Sequence, residues 1–258
     1  MSAFPSHIGA DMAGDIPANL SGDFGDKFGD TFGDSFSWAA EATERMNRMY
    51  RRQRHIYDGT RRYYLLGRDQ LIAHLKPEAG ANVLEVGCGT GRNLVLAAGR
   101  FPATRWFGID VSTEMLTSAI TAIARHGLTS RIKVAHGDAT AFDPELLFGI
   151  PSFDHIMISY SLSMIPNWAL VLEAAIGRLK PGGRLHIVDF GRQERLPAVA
   201  RMLLLRWLKL FDVTPRDDLE QVLSAMAATS GAELRFERPF RGYAQYAVLT
   251  LASGPAKP

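Results

Sequence analysis

A glycine-rich turn, Gly87-Cys88-Gly89-Thr90-Gly91, follows the apolar run Asn82 to Val86, with an acid, Glu85, two residues before the first glycine. Glycines between a strand and a helix let the backbone approach a ligand and are expected to present amides near a helix N-terminus. The spacing here is G-x-G-x-G, whereas a dinucleotide fingerprint reads G-x-G-x-x-G and aims its amides at a pyrophosphate. An acid facing the pocket would repel that anion, so a nicotinamide-dependent oxidoreductase fits poorly. Two more acids end apolar runs: Asp110 in WFGID, nineteen residues after Gly91, and Asp138 in HGDA. His55, His136, His155 and His186 lack metal-ligand spacing, and one cysteine cannot build a thiolate cluster, so no metal is expected. Asp189-Phe190-Gly191 matches a kinase magnesium tripeptide without its companion motifs and is read as a strand end.

Upstream, YRRQRHIYDGTRRYYLLGRD (Tyr50 to Asp69) places six arginines and four tyrosines in twenty residues. Arginine forks suit a carboxylate or another anion, and tyrosine rings suit a cation. Met1 to Ser37, by contrast, is acidic with a single lysine, Lys27. A basic block beside an acidic tail points to an anionic surface, substrate or cofactor group. No nucleic-acid motif accompanies it, and no nucleic acid is expected as partner.

The elements that must position these residues follow from periodicity. Residues 1–36 carry an imperfect repeat (GDF, GDKF, GDTF, GDSF) and read as a Gly/Asp/Phe tail without fixed structure. Residues 37–76 read as helices broken at Gly59 and Gly67, forming a lid. Residues 77–252 alternate strands and helices: NVLEV, WFGID, RIKVAHGD, FDHIMIS and RLHIVDF as strands, with Ser112 capping one helix and LVLEAAIGRLKPGG ending another. That alternation indicates an α/β, Rossmann-like, doubly wound seven-stranded sheet, closed by an antiparallel edge hairpin from ELRFERPF and YAQYAVLTL. Residues 253–258 are a short tail. The chain has 258 residues, 47% of them hydrophobic, with net charge +2, as expected for one well-buried core. No window reaches the roughly eighteen apolar residues that span a bilayer, and the N-terminus lacks the order of a signal peptide; a cytoplasmic protein is expected.

VLEVGCGTGRN, Val83 to Asn93, together with the spacing of Asp110 and Asp138, resembles the class I S-adenosylmethionine-dependent methyltransferases over about residues 80 to 190. The resemblance implies S-adenosyl-L-methionine as cofactor and S-adenosyl-L-homocysteine as product. It assigns Glu85, Gly87, Cys88, Gly89, Gly91 and Asn93 to the cofactor motif. Asp110, followed by Val111, would accept from both ribose hydroxyls, Asp138 would bind the adenine amine, and Ala139 would offer its backbone amide. Met115 would pack on the adenine face, and Ser159 and Tyr160 would lie beside the sulfonium and the nucleophile.

The segment from Met46 to Asp69, with those motifs, resembles the bacterial diacylglyceryl-homoserine N-methyltransferases of betaine lipid synthesis, over about residues 45 to 250. That resemblance implies three successive methylations of a lipid-linked amine. It places Arg54, Tyr57 and Tyr160 in the catalytic set and Tyr64 and Arg68 at the cofactor, with Arg54 or Arg68 also able to fork the acceptor carboxylate. Tyr57, Tyr63, Tyr64 and Tyr160 would form a wall for the ammonium, and Asp58, His55 and His155 are candidate bases. The acceptor is then a lipid or small-molecule amine met at an anionic membrane surface, where LPAVARMLLLRWLKLF (Leu196 to Phe211) reads as an interfacial helix or as a cover on the sheet. Phosphatidylethanolamine N-methylation, quinone-precursor C-methylation and a non-catalytic cofactor-binding regulator are the alternatives.

Overall fold

The computed structural model describes residues 65–254, which belong to one compact unit. Arg54, Tyr57, Tyr63, Tyr64, His55, Asp58 and the repeat tail lie outside the described residues. A short helix, α1 (Arg68–Leu75), leads into β1 (Asn82–Val86), α2 (Arg92–Arg100), β2 (Arg105–Asp110), α3 (Thr113–Arg125) and β3 (Ile132–His136). The chain continues through α4 (Pro144–Phe148), β4 (Phe153–Ser159), a 3-10 turn (Leu162–Met164), α5 (Trp168–Ile176) and β5 (Leu179–Phe190). It ends with α6 (Ala198–Lys209), α7 (Leu219–Ser230), β6 (Glu233–Glu237) and β7 (Ala244–Thr250).

The seven strands lie in the order β3-β2-β1-β4-β5-β7-β6. The first five are parallel; β7 runs antiparallel between β5 and β6. Strand order reverses between β1 and β4, and such a switch point opens a crevice at the carboxyl ends of the strands. Five residues of β1 are buried on both faces, as a central parallel strand requires. One face carries Leu71, Leu75, Leu94, Ala97 and Trp106 under α1, α2, α3 and α6. The other carries Ile156, Ile158, Leu172, Leu185 and Leu223 under α5 and α7.

Local signals explain the helix that frames the site. Ser112 Oγ accepts the Met115 amide at 3.3 Å, Glu114 sits in the first turn and Arg125 in the last, matching the helix dipole.

Two expectations need correction. Leu179 to Gly183 reads as a helix-stop signal, yet it begins β5, because Leu179 pairs with Phe153 across a bulge and Gly182 N–H donates to Ala252. The hairpin of β6 and β7 also closes through a longer turn than its sequence suggests: Pro239–Gly242 intervenes, and Phe240 and Arg241 both take left-handed conformations that sequence propensity does not announce.

Candidate functional site

The glycine loop leaves β1 at the switch point. Gly87, Gly89 and Gly91 all have positive φ, and a Cβ on Gly87 would sit 2.6 Å from the Ser161 Cβ. The loop amides are bound within the protein: Gly87 and Cys88 donate to the Ile109 carbonyl (2.9 and 3.0 Å), Gly89 to Asp110 Oδ2 (2.8 Å) and Gly91 to Cys88 (3.0 Å). These four amides, unlike the expectation for the turn, are spent inside the protein. A pyrophosphate needs such donors, so the geometry argues against a dinucleotide.

Below the loop, Glu85 is almost fully buried and accepts from Asn93 Nδ2 at 2.7 Å, bracing the first turn of α2 on β1. Cys88 is buried too, and burial, then Asp110 and Glu85, push its thiol well above the usual range. It is a packing residue, not a nucleophile.

The Asp110 carboxylate spans two segments, Oδ2 accepting Gly89 N–H and Oδ1 accepting Ser112 N–H at 2.9 Å. Gly137 N–H donates to the Asp110 carbonyl, bringing the β3 end alongside; there Asp138 Oδ1 accepts the amide and hydroxyl of Thr140, both at 2.8 Å. Val111 and Ala139 are half-buried and Met115 is buried. One sheet edge therefore gathers the glycine loop, two acids and an apolar surface. Together with the anion-poor amide geometry, these residues fit a cofactor that offers hydroxyl and amine donors and an adenine face.

The end of β4 supplies the other side. The Ser159 hydroxyl is buried with no hydrogen-bond partner among the described residues, Tyr160 turns left-handed at φ 56, and Ser161 Oγ donates to the Val86 carbonyl at 3.2 Å. The Tyr160 hydroxyl donates to the Leu66 carbonyl, and its ring meets Phe190 edge-on at 4.6 Å, with Tyr243 beyond at 5.9 Å. Burial, then Asp189 and Tyr243, hold that hydroxyl well above its ordinary pKa, while nearby Arg68 pulls the other way. Tyr160 thus stays protonated and is no base. Arg68 is itself buried and opens α1 directly after Leu66 and Gly67.

His155 sits elsewhere. It lies early in β4, paired with Val83 in register, and its Nδ1 is 3.3 Å from His186 Nε2. Burial first, then Arg184, depress its pKa to about 4. Two buried, neutral, mutually bonded imidazoles do not serve a site at the far strand ends, so His155 is not a base there.

A polar clamp behind Tyr160 escaped sequence reasoning. Asp189 accepts Ser163 N–H (3.1 Å) and Phe190 N–H (2.7 Å), while Arg216 donates to the carbonyls of Leu162 (3.0 Å) and Ile165 (2.8 Å). Gln245, opposite Asp189 in register, donates to the Phe190 and Arg216 carbonyls. An acid inside the apolar strand HIVDF was the available signal. No group of three or more His, Cys, Asp or Glu able to hold a metal occurs among the described residues.

Comparison with known proteins agrees with this geometry. Residues 83–183 match the methyltransferase domain family. Demethylmenaquinone methyltransferase of Listeria monocytogenes serotype 4a (strain HCC23) is 31% identical over 123 residues, 47% of this chain and 50% of that protein. The chain spans about half the length of the curated relatives it matches. The S-adenosylmethionine-dependent methyltransferase SibL superposes with a TM-score of 0.60 at 20% identity, covering 76% of this chain and 58% of SibL. Phosphoethanolamine N-methyltransferase 2 of Haemonchus contortus, solved with S-adenosyl-L-methionine, gives 0.56 at 18% identity over 72% of this chain and 53% of that one. Residues 83–183 thus match a methyltransferase domain, and the sheet that carries them has the fold of solved S-adenosylmethionine-dependent methyltransferases.

Proposed function

We propose that this protein is an S-adenosylmethionine-dependent N-methyltransferase that converts diacylglyceryl-homoserine to its trimethylated betaine lipid by successive transfers, at the cytoplasmic face of an anionic membrane. The observation that carries the reading is the aromatic group Tyr160, Phe190 and Tyr243 beside buried Arg68 at the carboxyl ends of β4 and β5. Aromatic faces attract an ammonium by roughly 0.5 to 2 kcal/mol and tolerate each methyl added to it, while a guanidinium suits the one carboxylate of the acceptor.

The cofactor would supply an electrophilic methyl on a sulfonium. Asp110 and Asp138 would hold its hydroxyl and amine donors, and Met115 its adenine face. The remaining demand on the chain is alignment of an amine lone pair. Tyr160 contributes a fixed hydroxyl and ring, not proton abstraction. A neutral amine needs no base in the transfer step; the first two transfers each release a proton to solvent afterwards, and the third leaves a quaternary ammonium with none to lose.

Quinone-precursor C-methylation is the second reading, favoured by the 31% identity to a demethylmenaquinone methyltransferase. Carbon attack requires an ionised ring hydroxyl, and neither Tyr160 nor His155 is placed or poised to take that proton. Labelled cofactor incubated separately with diacylglyceryl-homoserine, phosphatidylethanolamine and a demethylated quinone should label the first. Label in either of the others, with none in the homoserine lipid, would replace the first reading.

A further inference from the structure

We infer that the outward face of α6 is a docking surface for an anionic lipid bilayer. On this 12-residue helix only Leu208 is buried. Val199, Met202, Leu203 and, just past its end, Leu210 are 66%, 62%, 58% and 72% exposed. Their spacing (i, i+3, i+4, i+11) puts them on one stripe, with exposed Arg206 on the same line. Leu204, Trp207 and Phe211 face the other way and pack on the sheet core. The helix therefore has an apolar inner side and a second, unpartnered apolar side among the described residues.

Charge selects the occupant. From Arg195 to Phe211 there are four cations, Arg195, Arg201, Arg206 and Lys209, and no acid. Arg201 is tied to the Arg192 carbonyl at 2.9 Å, whereas Arg206 and Lys209 are exposed beside the stripe. Large apolar side chains interleaved with cations, with the acids Glu194 and Asp212 just outside the helix, complement anionic headgroups over acyl chains, and a helix lying in the interface plane uses this pattern. No helix among the described residues is long and apolar enough to cross a membrane, so contact through this helix would be lateral.

Placement links the surface to the site. The excursion that carries α6 leaves β5 with Gln193 N–H held by the Gly242 carbonyl and returns with Thr214 N–H held by the Ser163 carbonyl. Both anchors sit at the carboxyl edge, next to the Asp189 and Arg216 clamp. A bilayer seated on the stripe would meet the edge where an acceptor lipid has to enter. The inference deepens the lipid-acceptor reading and rests on it for its purpose.

The test is independent of that reading. The full chain is floated with vesicles of phosphatidylcholine alone, or of phosphatidylcholine with phosphatidylglycerol, neither containing an amine acceptor. Wild type should rise with the anionic vesicles and far less with the neutral ones. Met202→Glu with Leu203→Glu should weaken partitioning at least tenfold, and Arg206→Glu with Lys209→Glu by roughly fivefold or more per charge, given about 1 kcal/mol per surface cation. All four sites are exposed, so melting temperature and cofactor affinity should stay unchanged. Wild type left at the bottom, or either variant floating as wild type does, would overturn the inference. So would a concentration-dependent dimer abolished by Leu203→Glu in a chain that ignores vesicles, since the stripe would then seat a second copy. Methyl transfer to detergent-dispersed lipid is measured separately, so failure of docking and failure of the proposed activity give different results.

Discussion

Asp110 Oδ2 accepts the amide of Gly89 at 2.8 Å, which makes the acid assigned to the cofactor also the residue that shapes the loop around it. Asp110→Ala removes this contact and the one from Ser112 N–H together. It should weaken cofactor binding by on the order of 2 kcal/mol or more and lower stability as well, because two buried donors lose their acceptor. Calorimetric titration with the cofactor product, beside urea unfolding, checks both. Near-unchanged affinity would remove Asp110 from the site.

Gly87 is constrained in two ways, by φ of 71° and by the 2.6 Å approach to the Ser161 Cβ. Gly87→Ala should cost about 1–3 kcal/mol from conformation alone and more from displacing the segment after β4. A variant with wild-type melting temperature and cofactor affinity would contradict that packing.

These two positions also show how far the sequence reaches. The positive φ of Gly87 is legible because backbone chemistry at a switch point limits which residues work there, and the placing of Asp110 and Asp138 at strand ends follows from the apolar runs before them. The role of the glycines was half read: their conformations were foreseeable, but their amides turn to Ile109 and Asp110, and only the β1 and β2 register reveals that. The clamp of Asp189, Arg216 and Gln245 draws on residues far apart in the chain and has no local pattern. His155 reads as a candidate base because exposure cannot be read from a lone histidine. The strand pairing that sets it against His186 is a long-range fact.

Asp189 should leave a signature in the pH dependence of stability. Burial pushes its carboxyl up to about 6, against the hydrogen bonds from Ser163 and Phe190 and the charge of Arg216. With the folded value raised, the folded chain holds a proton that the unfolded chain releases between about pH 4 and 6. This contribution is therefore present at low pH and is lost as pH rises through 6, at up to about 1.4 kcal/mol per pH unit. Relative to wild type, Asp189→Asn should gain stability steadily from pH 4 to 7, although it gives up one acceptor at all pH values. Chemical unfolding across that range checks the slope, and a flat difference would mean that Asp189 is already ionised at pH 4.

The histidine pair predicts the opposite slope. His155 is depressed to about 4, and His186 to about 3 by burial first and then by His155, Arg184 and His74. Both folded values lie below the unfolded one, so stability is present above about pH 6.5 and lost as pH falls towards 4. Each histidine contributes up to about 1.4 kcal/mol per pH unit. His186→Leu should flatten the acid limb of the profile. An unaltered limb would place the acid sensitivity elsewhere.

Arg68 separates the two halves of the site. Arg68→Gln should raise the KM for the acceptor while leaving cofactor affinity unchanged, if its guanidinium reads the acceptor carboxylate. A parallel loss of cofactor affinity would assign it to the cofactor instead. Isothermal titration with the cofactor product and initial rates over an acceptor series distinguish the two.

The antiparallel seating of β7 between β5 and β6 has a consequence for how specificity is inherited. Ala244 enters the sheet opposite Phe190, so Tyr243, Gln245 and the turn from Pro239 to Gly242 come to the carboxyl end of β5 from late in the chain. The stretch that matches the methyltransferase domain stops at residue 183, before any of these residues. Under the proposed reading, the acceptor side therefore draws on Tyr160 inside that stretch and on Arg68, Phe190 and Tyr243 outside it. On that reading, likeness confined to 83–183 leaves the choice of methylated molecule to residues beyond it.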